Sequence, residues 1–161
     1  MPERSIDVSL KQAEAGEGTE TLYENVCTLY TEPELCFNYA TNEELKDWGF
    51  TEGCFTCFLQ DKKDVIIQVI TAYQYEEGAT SAYNADVEYL KNNDYGSQLN
   101  IKKIGESSAL FKKKQSDGTT YNLLFLKNKL FVAISAKYKV DKTENMAHIT
   151  GLAEKLSDKI K

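Results

Sequence analysis

The chain has 161 residues, of which 42% are hydrophobic and 27% are charged, a composition typical of one globular domain rather than of a disordered chain. Its formal net charge of −6 argues against nucleic acid as a partner, because phosphate backbones are bound through Lys and Arg. The longest apolar runs are far shorter than the roughly 20 residues needed to span a bilayer, so no membrane-spanning segment is predicted.

The N-terminal segment reads as a tether. Residues 11–20, KQAEAGEGTE, are acidic and contain no large apolar side chain. We therefore expect a flexible acidic leader over residues 1–20 and a single α+β domain over residues 21–161. The next two segments, LYENVCTLY and ELCFNYA, are predicted to be short strands joined across TEPE, with Pro33 in the turn.

A hairpin and a helix follow. CFTCFL at 54–59, the polar turn QDKKD and VIIQVITAYQY at 65–75 predict a β-hairpin, since β-branched and aromatic residues dominate both arms. Over 79–92 the apolar residues recur at steps of three and four, which predicts an amphipathic helix.

The second half has a similar order. SSALFKKKQ (107–115), TYNLLFL (120–126) and LFVAISAKY (130–138), separated by the turns SDGT and KNK, predict a three-stranded meander. A final helix is predicted to start at a capping box of Asp141 and Glu144. The predicted fold class is α+β, an antiparallel meander with amphipathic helices packed on the sheet. A duplicated strand–strand–helix unit is one interpretation of the two similar halves.

The four cysteines are Cys27, Cys36, Cys54 and Cys57, and they allow three interpretations. They form structural disulfides or buried thiols, or they bind zinc through four thiolates, or the C-x-x-C pair is a redox site. Strand alternation would place Cys54 and Cys57 on opposite faces of the sheet, which favours the structural interpretation. Four cysteines allow three pairings, and the sequence does not select among them.

Other candidate site residues are aromatic. Tyrosines on neighbouring elements either line the half-buried rims of the sheet or form a binding groove, and the candidate groove residues are Tyr73, Tyr75, Tyr83, Tyr121 and Tyr138. The single histidine, His148, is one turn after Glu144 and able to pair with it, and a hydrolase built on His148 with Cys54 or Ser135 is the least favoured alternative. No catalytic residue, metal ligand set or cofactor is predicted, and a non-enzyme is favoured over an enzyme.

The region from Glu52 to Ile160 resembles the α+β domains of small exported lipoproteins, including the PsbP-like group. The resemblance lies in a hairpin, a helix with DVEYL, a KKIGESSALF strand, a DGTTYNLLFLKNKLFVAISAKY meander and a C-terminal helix with AEKLSDKI. It implies a non-enzymatic accessory, sensory or binding role outside the cytoplasm, and it brings no site residues with it.

We therefore expect a non-enzymatic extracytoplasmic accessory, sensor or ligand/protein-binding domain, whose partner is an unidentified protein or small molecule and not nucleic acid. The even number of cysteines favours an oxidising compartment, and tethering to a membrane through a removed N-terminal anchor fits the same interpretation. The alternative is a cytoplasmic thiol-redox or zinc-binding protein that uses Cys54 and Cys57.

Overall fold

The computed structural model describes residues 4–31 and 33–161. Its strands are β1 (Thr19–Cys27), β2 (Phe50–Gln60), β3 (Asp64–Tyr73), β4 (Ser97–Leu99), β5 (Ser107–Gln115), β6 (Gly118–Lys127) and β7 (Leu130–Tyr138). Its helices are α1 (Ser5–Val8), α2 (Gln12–Ala15), α3 (Asn42–Asp47), α4 (Glu76–Asn92) and α5 (Glu144–Lys159), and a 3-10 turn spans Pro33–Leu35.

These strands form one antiparallel sheet in the order β1-β2-β3-β7-β6-β5-β4. The predicted α+β fold class is therefore confirmed, as are the β2–β3 hairpin, the β5–β6–β7 meander and the two long helices. The hairpin turn between β2 and β3 uses left-handed backbone at Asp61 and Lys62, a conformation that short polar turns adopt to reverse the chain.

Each face of the sheet packs against a long helix. On what we call the α5 face, Ile70, Val132 and Ile134 pack with α5, whose Ile149 and Leu152 are buried there. The opposite face, the α4 face, is covered by α4 and by the segment from residue 28 to 41, apart from residue 32, which lies outside the described residues. Its core includes residues from three strands and α4, namely Tyr73, Ala82, Tyr83, Leu124 and Phe131. Alternation along each strand supplies side chains to both cores, which is why the central strands are so rich in apolar residues.

The strand–strand–helix order occurs twice, as β2–β3–α4 and β6–β7–α5. A two-fold axis normal to the sheet would relate the two hairpins, because β3 and β7 are antiparallel neighbours. Such an axis would place both helices on one face, whereas α4 and α5 lie on opposite faces. The structure thus repeats the order of the elements but not their arrangement.

The predicted flexible leader is largely ordered. Residues 1–3 lie outside the described residues, but Val8, Leu10 and Ala15 are buried in the core of the α5 face. Leu10 N–H donates to Gln68 Oε1 at 3.1 Å, and Gln68 Nε2 donates to the Leu10 carbonyl at 2.9 Å. The prediction of a flexible leader was based on the acidic composition of residues 11–20. Val8, Leu10 and Ala15 instead fix the segment to the sheet, because their burial removes apolar area from water.

Two local predictions are corrected. The segment ELCFNYA is not a strand, since Pro33–Leu35 forms a 3-10 turn and α3 follows with Thr41 as its N-cap. The predicted capping box at Asp141 is also wrong, because α5 has Thr143 at its N-cap position. Asp141 instead forms ion pairs with Lys114 at 2.9 Å and Lys112 at 3.4 Å on β5. The Asp141 side chain therefore pairs with residues distant in sequence instead of capping the helix that follows it.

Within the described residues, no helix combines the length and the apolar character needed to cross a membrane.

Candidate functional site

Cys27 and Cys36 form a disulfide that links the end of β1 to the residue directly after the 3-10 turn, with their Cα atoms 6.5 Å apart. The disulfide lies directly over Gly53 of β2. A Cβ at residue 53 would be 2.6 Å from Cys27 Sγ and 2.7 Å from Cys36 Sγ, closer than atoms in contact can be. Glycine is therefore required at position 53 for the two sulfur atoms to approach the strand.

Cys54 and Cys57 lie on opposite faces of β2, as the alternation predicted. Cys54 is buried on the α5 face beside Thr56, with Sγ and Oγ1 3.8 Å apart, while Cys57 is half-buried on the other face. Burial raises the pKa of both thiols, whereas reactive cysteines need a lowered pKa. The two thiols cannot share a redox or zinc site on a strand of this geometry. Among the described residues, no group of three or more His, Cys, Asp or Glu is placed to hold a metal ion.

The tyrosines of the predicted groove are not brought together. Tyr73 and Tyr83 belong to the core of the α4 face, whereas Tyr121 and Tyr138 belong to the core of the α5 face. Tyr75 is 57% exposed, just before α4. The sheet itself separates the two buried pairs, because strand neighbours on different faces cannot line one surface.

His148 is a structural residue of the α5 face. Its Nδ1 is 2.7 Å from the Tyr138 hydroxyl, and its Nε2 is 3.4 Å from Gln60 Nε2. These neighbours take the place of the predicted partner Glu144. Burial lowers the pKa of His148, which disfavours the charged imidazolium. Ser135 is on the other face of the sheet, so the hydrolase arrangement of Ser135 with His148 is not formed.

The α4 face is incompletely covered and contains a cleft of about 310 Å³. Its floor consists of side chains from β2, β3, β6 and β7, including Phe55, Val69, Asn122 and Ala133. One wall is α4 with the residues after it, and another is the segment 34–39 that the disulfide attaches to β1. Largely apolar walls with a few polar groups are typical of small-molecule sites.

Asp86 of α4 lies in this cleft and is only 8% exposed. Its carboxylate makes no hydrogen bond or ion pair with any residue that the structure describes. Burial raises the pKa of Asp86 from its ordinary 3.8 to about 7, because the charged form loses hydration without gaining a partner. Carboxylates with pKa values raised in this way are concentrated at functional sites.

A second polar group in the cleft also lacks a partner. The Tyr39 hydroxyl is buried and forms no hydrogen bond within the described part of the chain. Its neighbour is the Tyr73 hydroxyl, which interacts with it electrostatically and itself donates to Thr71 Oγ1 at 3.0 Å. Burial is the main cause of the raised pKa of Tyr39, which keeps its proton as a hydrogen-bond donor at neutral pH.

Neither Asp86 nor Tyr39 was predicted from the sequence to be a site residue. A signal for Asp86 was present, because it lies four residues after Ala82 and four before Leu90, within the apolar stripe of the predicted helix. An acidic residue on the buried stripe of a helix is unusual unless it has a role. No comparable signal marks Tyr39, whose position depends on the disulfide.

No protein-family model matches the chain, and a search of curated proteins finds no significant match. Among solved structures, the chain is similar to the extracellular domain of PknH from Mycobacterium tuberculosis, with 10% identity and a TM-score of 0.61 over 99% of this chain and 97% of that one. A putative uncharacterized protein from Mycobacterium smegmatis, an Rv0999 ortholog, aligns at 8% identity with a TM-score of 0.43 over 90% of each chain. The likeness to the PknH domain supports the fold, and the PsbP-like resemblance stays a prediction.

Proposed function

We propose that the chain is a non-enzymatic extracytoplasmic domain of the sensor or accessory type, which binds a small molecule in the cleft of the α4 face. The carboxylate of Asp86, which lies in the cleft without a hydrogen bond or ion pair to any described residue, carries this proposal. A buried polar group without a partner costs about 1–3 kcal/mol, and more when it is charged. A ligand that supplies the missing partners would recover that free energy on binding.

Two observations support a location outside the cytoplasm. The Cys27–Cys36 disulfide is of the kind that persists in oxidising compartments. The fold is shared with a domain that is extracellular in another protein. The cytoplasmic alternative required Cys54 and Cys57 to act together, and the two thiols lie on opposite faces of β2.

Ligand binding is tested by screening a fragment library that contains cations, anions and neutral compounds, with amide chemical shifts as the readout. We expect binders to shift the residues that line the cleft, and Ala133→Phe to abolish those shifts because the ring fills the floor of the cleft. Ala147→Phe is the matched control, since Ala147 is exposed on α5, on the other side of the sheet. Fragments that shift only residues outside the cleft, or no residues at all, would contradict the proposal.

The compartment is tested by alkylating thiols during denaturing lysis of the native host, without reductant, so that buried thiols also react, and by measuring the mass of the intact protein. We expect two alkylated cysteines and one disulfide. Four alkylated cysteines would contradict the extracytoplasmic location.

A further inference from the structure

The ionisable side chains that line the cleft, apart from tyrosines and Cys36, are acidic. Its lining includes two ionisable acids, Asp86 inside and Glu34 at the exposed rim, and no Lys, Arg or His among the described residues. The other titratable groups that interact with Asp86 are tyrosines, namely Tyr39, Tyr73 and Tyr95. Nothing in the described structure therefore neutralises the Asp86 carboxylate, and an anionic ligand would be repelled by it.

The walls of the cleft are aromatic as well as acidic. Phe37 and Tyr39 are in edge-to-face contact with ring centroids 5.6 Å apart, and Tyr39 meets Phe131 in the same manner at 6.3 Å. Phe55 and Tyr95 complete the aromatic lining. The face of an aromatic ring attracts a cation electrostatically, and an aromatic lining that also includes a carboxylate favours an organic cation over a neutral molecule.

We propose that the ligand is a small organic monocation, an ammonium group on an apolar body. Its charge pairs with Asp86, and its body lies on the apolar floor formed by the sheet. This inference rests on the proposed function. It does not extend to a metal ion, because two carboxylates are too few oxygen ligands for Ca²⁺ or Mg²⁺. A cleft of about 310 Å³ is near the lower limit of ligand pockets, so the body is small.

The affinities of three probes of similar shape but different charge test this inference. The probes are 2-phenylethylammonium, 2-phenylethanol and 3-phenylpropanoate. We expect the ammonium to bind about tenfold more tightly than the alcohol, and the carboxylate to bind most weakly. Asp86→Asn should weaken ammonium binding by about tenfold and leave alcohol binding within about twofold. Glu88→Gln is the matched control, because Glu88 is an exposed carboxylate on the same helix and should change neither affinity.

The pH dependence gives an independent readout. Ammonium affinity should fall as the pH is lowered from about 8 to about 5, because protonation of Asp86 removes the charge that pairs with the ligand. The tyrosines near Asp86 remain neutral over this range, since burial raises the pKa of Tyr39, Tyr73 and Tyr95. Glu34→Gln should leave the pH dependence in place, whereas Asp86→Asn should remove it.

The outcomes distinguish this inference from the proposed function. If 2-phenylethanol or 3-phenylpropanoate binds in the cleft as tightly as the ammonium, or Asp86→Asn leaves ammonium affinity unchanged, the cation inference is overturned while the cleft remains a ligand site. If neither these probes nor any library fragment binds in the cleft, both are overturned. Circular dichroism of Asp86→Asn confirms that a loss of affinity is not a loss of fold.

Discussion

Replacing Asp86 by Asn should stabilise the folded domain near pH 8 and have little effect near pH 4. The wild-type carboxyl is nine-tenths buried and has no hydrogen bond or ion pair with the described part of the chain, so its ionisation disfavours the folded state. Asn has nearly the same shape and carries no charge at any pH. The difference in the free energy of unfolding between the two proteins, followed as a function of pH, therefore measures the cost of burying the charge.

The magnitude follows from the pKa of Asp86, which burial raises from 3.8 to about 7 in the folded state. Below the unfolded value both states hold the proton, and the carboxyl has no effect on stability. As the pH rises, the unfolded state loses its proton first and is favoured increasingly, until the folded carboxyl also ionises. Three pKa units at about 1.4 kcal/mol each give a loss on the order of 4 kcal/mol, complete above about pH 7.

Urea denaturation followed by circular dichroism, at several values between about pH 4 and pH 8, measures this loss. The free energy of unfolding of Asp86→Asn minus that of the wild type should rise with pH by up to about 4 kcal/mol. The cost of burying the Asn amide is independent of pH and cancels from the rise. Glu88→Gln should change stability by no more than about 0.5 kcal/mol.

A difference between Asp86→Asn and wild type that stays constant within about 0.5 kcal/mol over this range would refute the reasoning. It would mean that the carboxylate is hydrated or paired in the folded state. A rise that disappears when 2-phenylethylammonium is present would link the stability cost to the proposed ligand, since a cation paired with the carboxylate removes the penalty of burying its charge.

Three further predictions concern the disulfide, the thiols and Tyr39. Gly53→Ala should lower the free energy of unfolding by about 1–3 kcal/mol while the disulfide is present, and by less than half of that when both disulfide cysteines are replaced by Ala. Equal losses in urea denaturation of the two backgrounds would contradict the geometry. In timed alkylation of the native protein, mass spectrometry should show Cys57 reacting first and Cys54 only on unfolding, and simultaneous labelling would contradict the burial. Tyr39→Phe should raise the free energy of unfolding by about 1 kcal/mol in urea, since it removes an unpartnered buried hydroxyl, and a loss of stability would show that the hydroxyl is bonded.

The parts of the fold that could be predicted are those in which the pattern of burial repeats. The strands β2, β3 and β5–β7 are nine to eleven residues long, long enough for alternation to be visible. The six residues of α3 and the three of β4 are too few for a period to be recognised. Only a local signal marked α3, the spacing of Thr41 and Glu44, whose side chains form reciprocal hydrogen bonds with the backbone.

The candidate site was less predictable because it is assembled from distant segments. Alternation separated Cys54 from Cys57 correctly, since that depends on one strand alone. The pairing of Cys27 with Cys36 depends on a 3-10 turn that reads as a strand in the sequence. The environment of Asp86 depends on residues 34–39, about fifty positions earlier in the chain, and no local pattern predicts that contact.

The stretch GCFTCF shows how the disulfide and the cleft are connected. Its two cysteines have the C-x-x-C spacing of redox and zinc sites, but they form neither. Its Gly53 is the residue that cannot be replaced without a clash, because a side chain there would overlap the Cys27–Cys36 disulfide. That disulfide holds the segment 34–39 against the α4 face, where Tyr39 forms part of the cleft wall opposite the strands. Fixing this segment before a ligand arrives lowers the conformational entropy lost on binding. Under the proposed function, the disulfide would therefore contribute to ligand affinity as well as to stability.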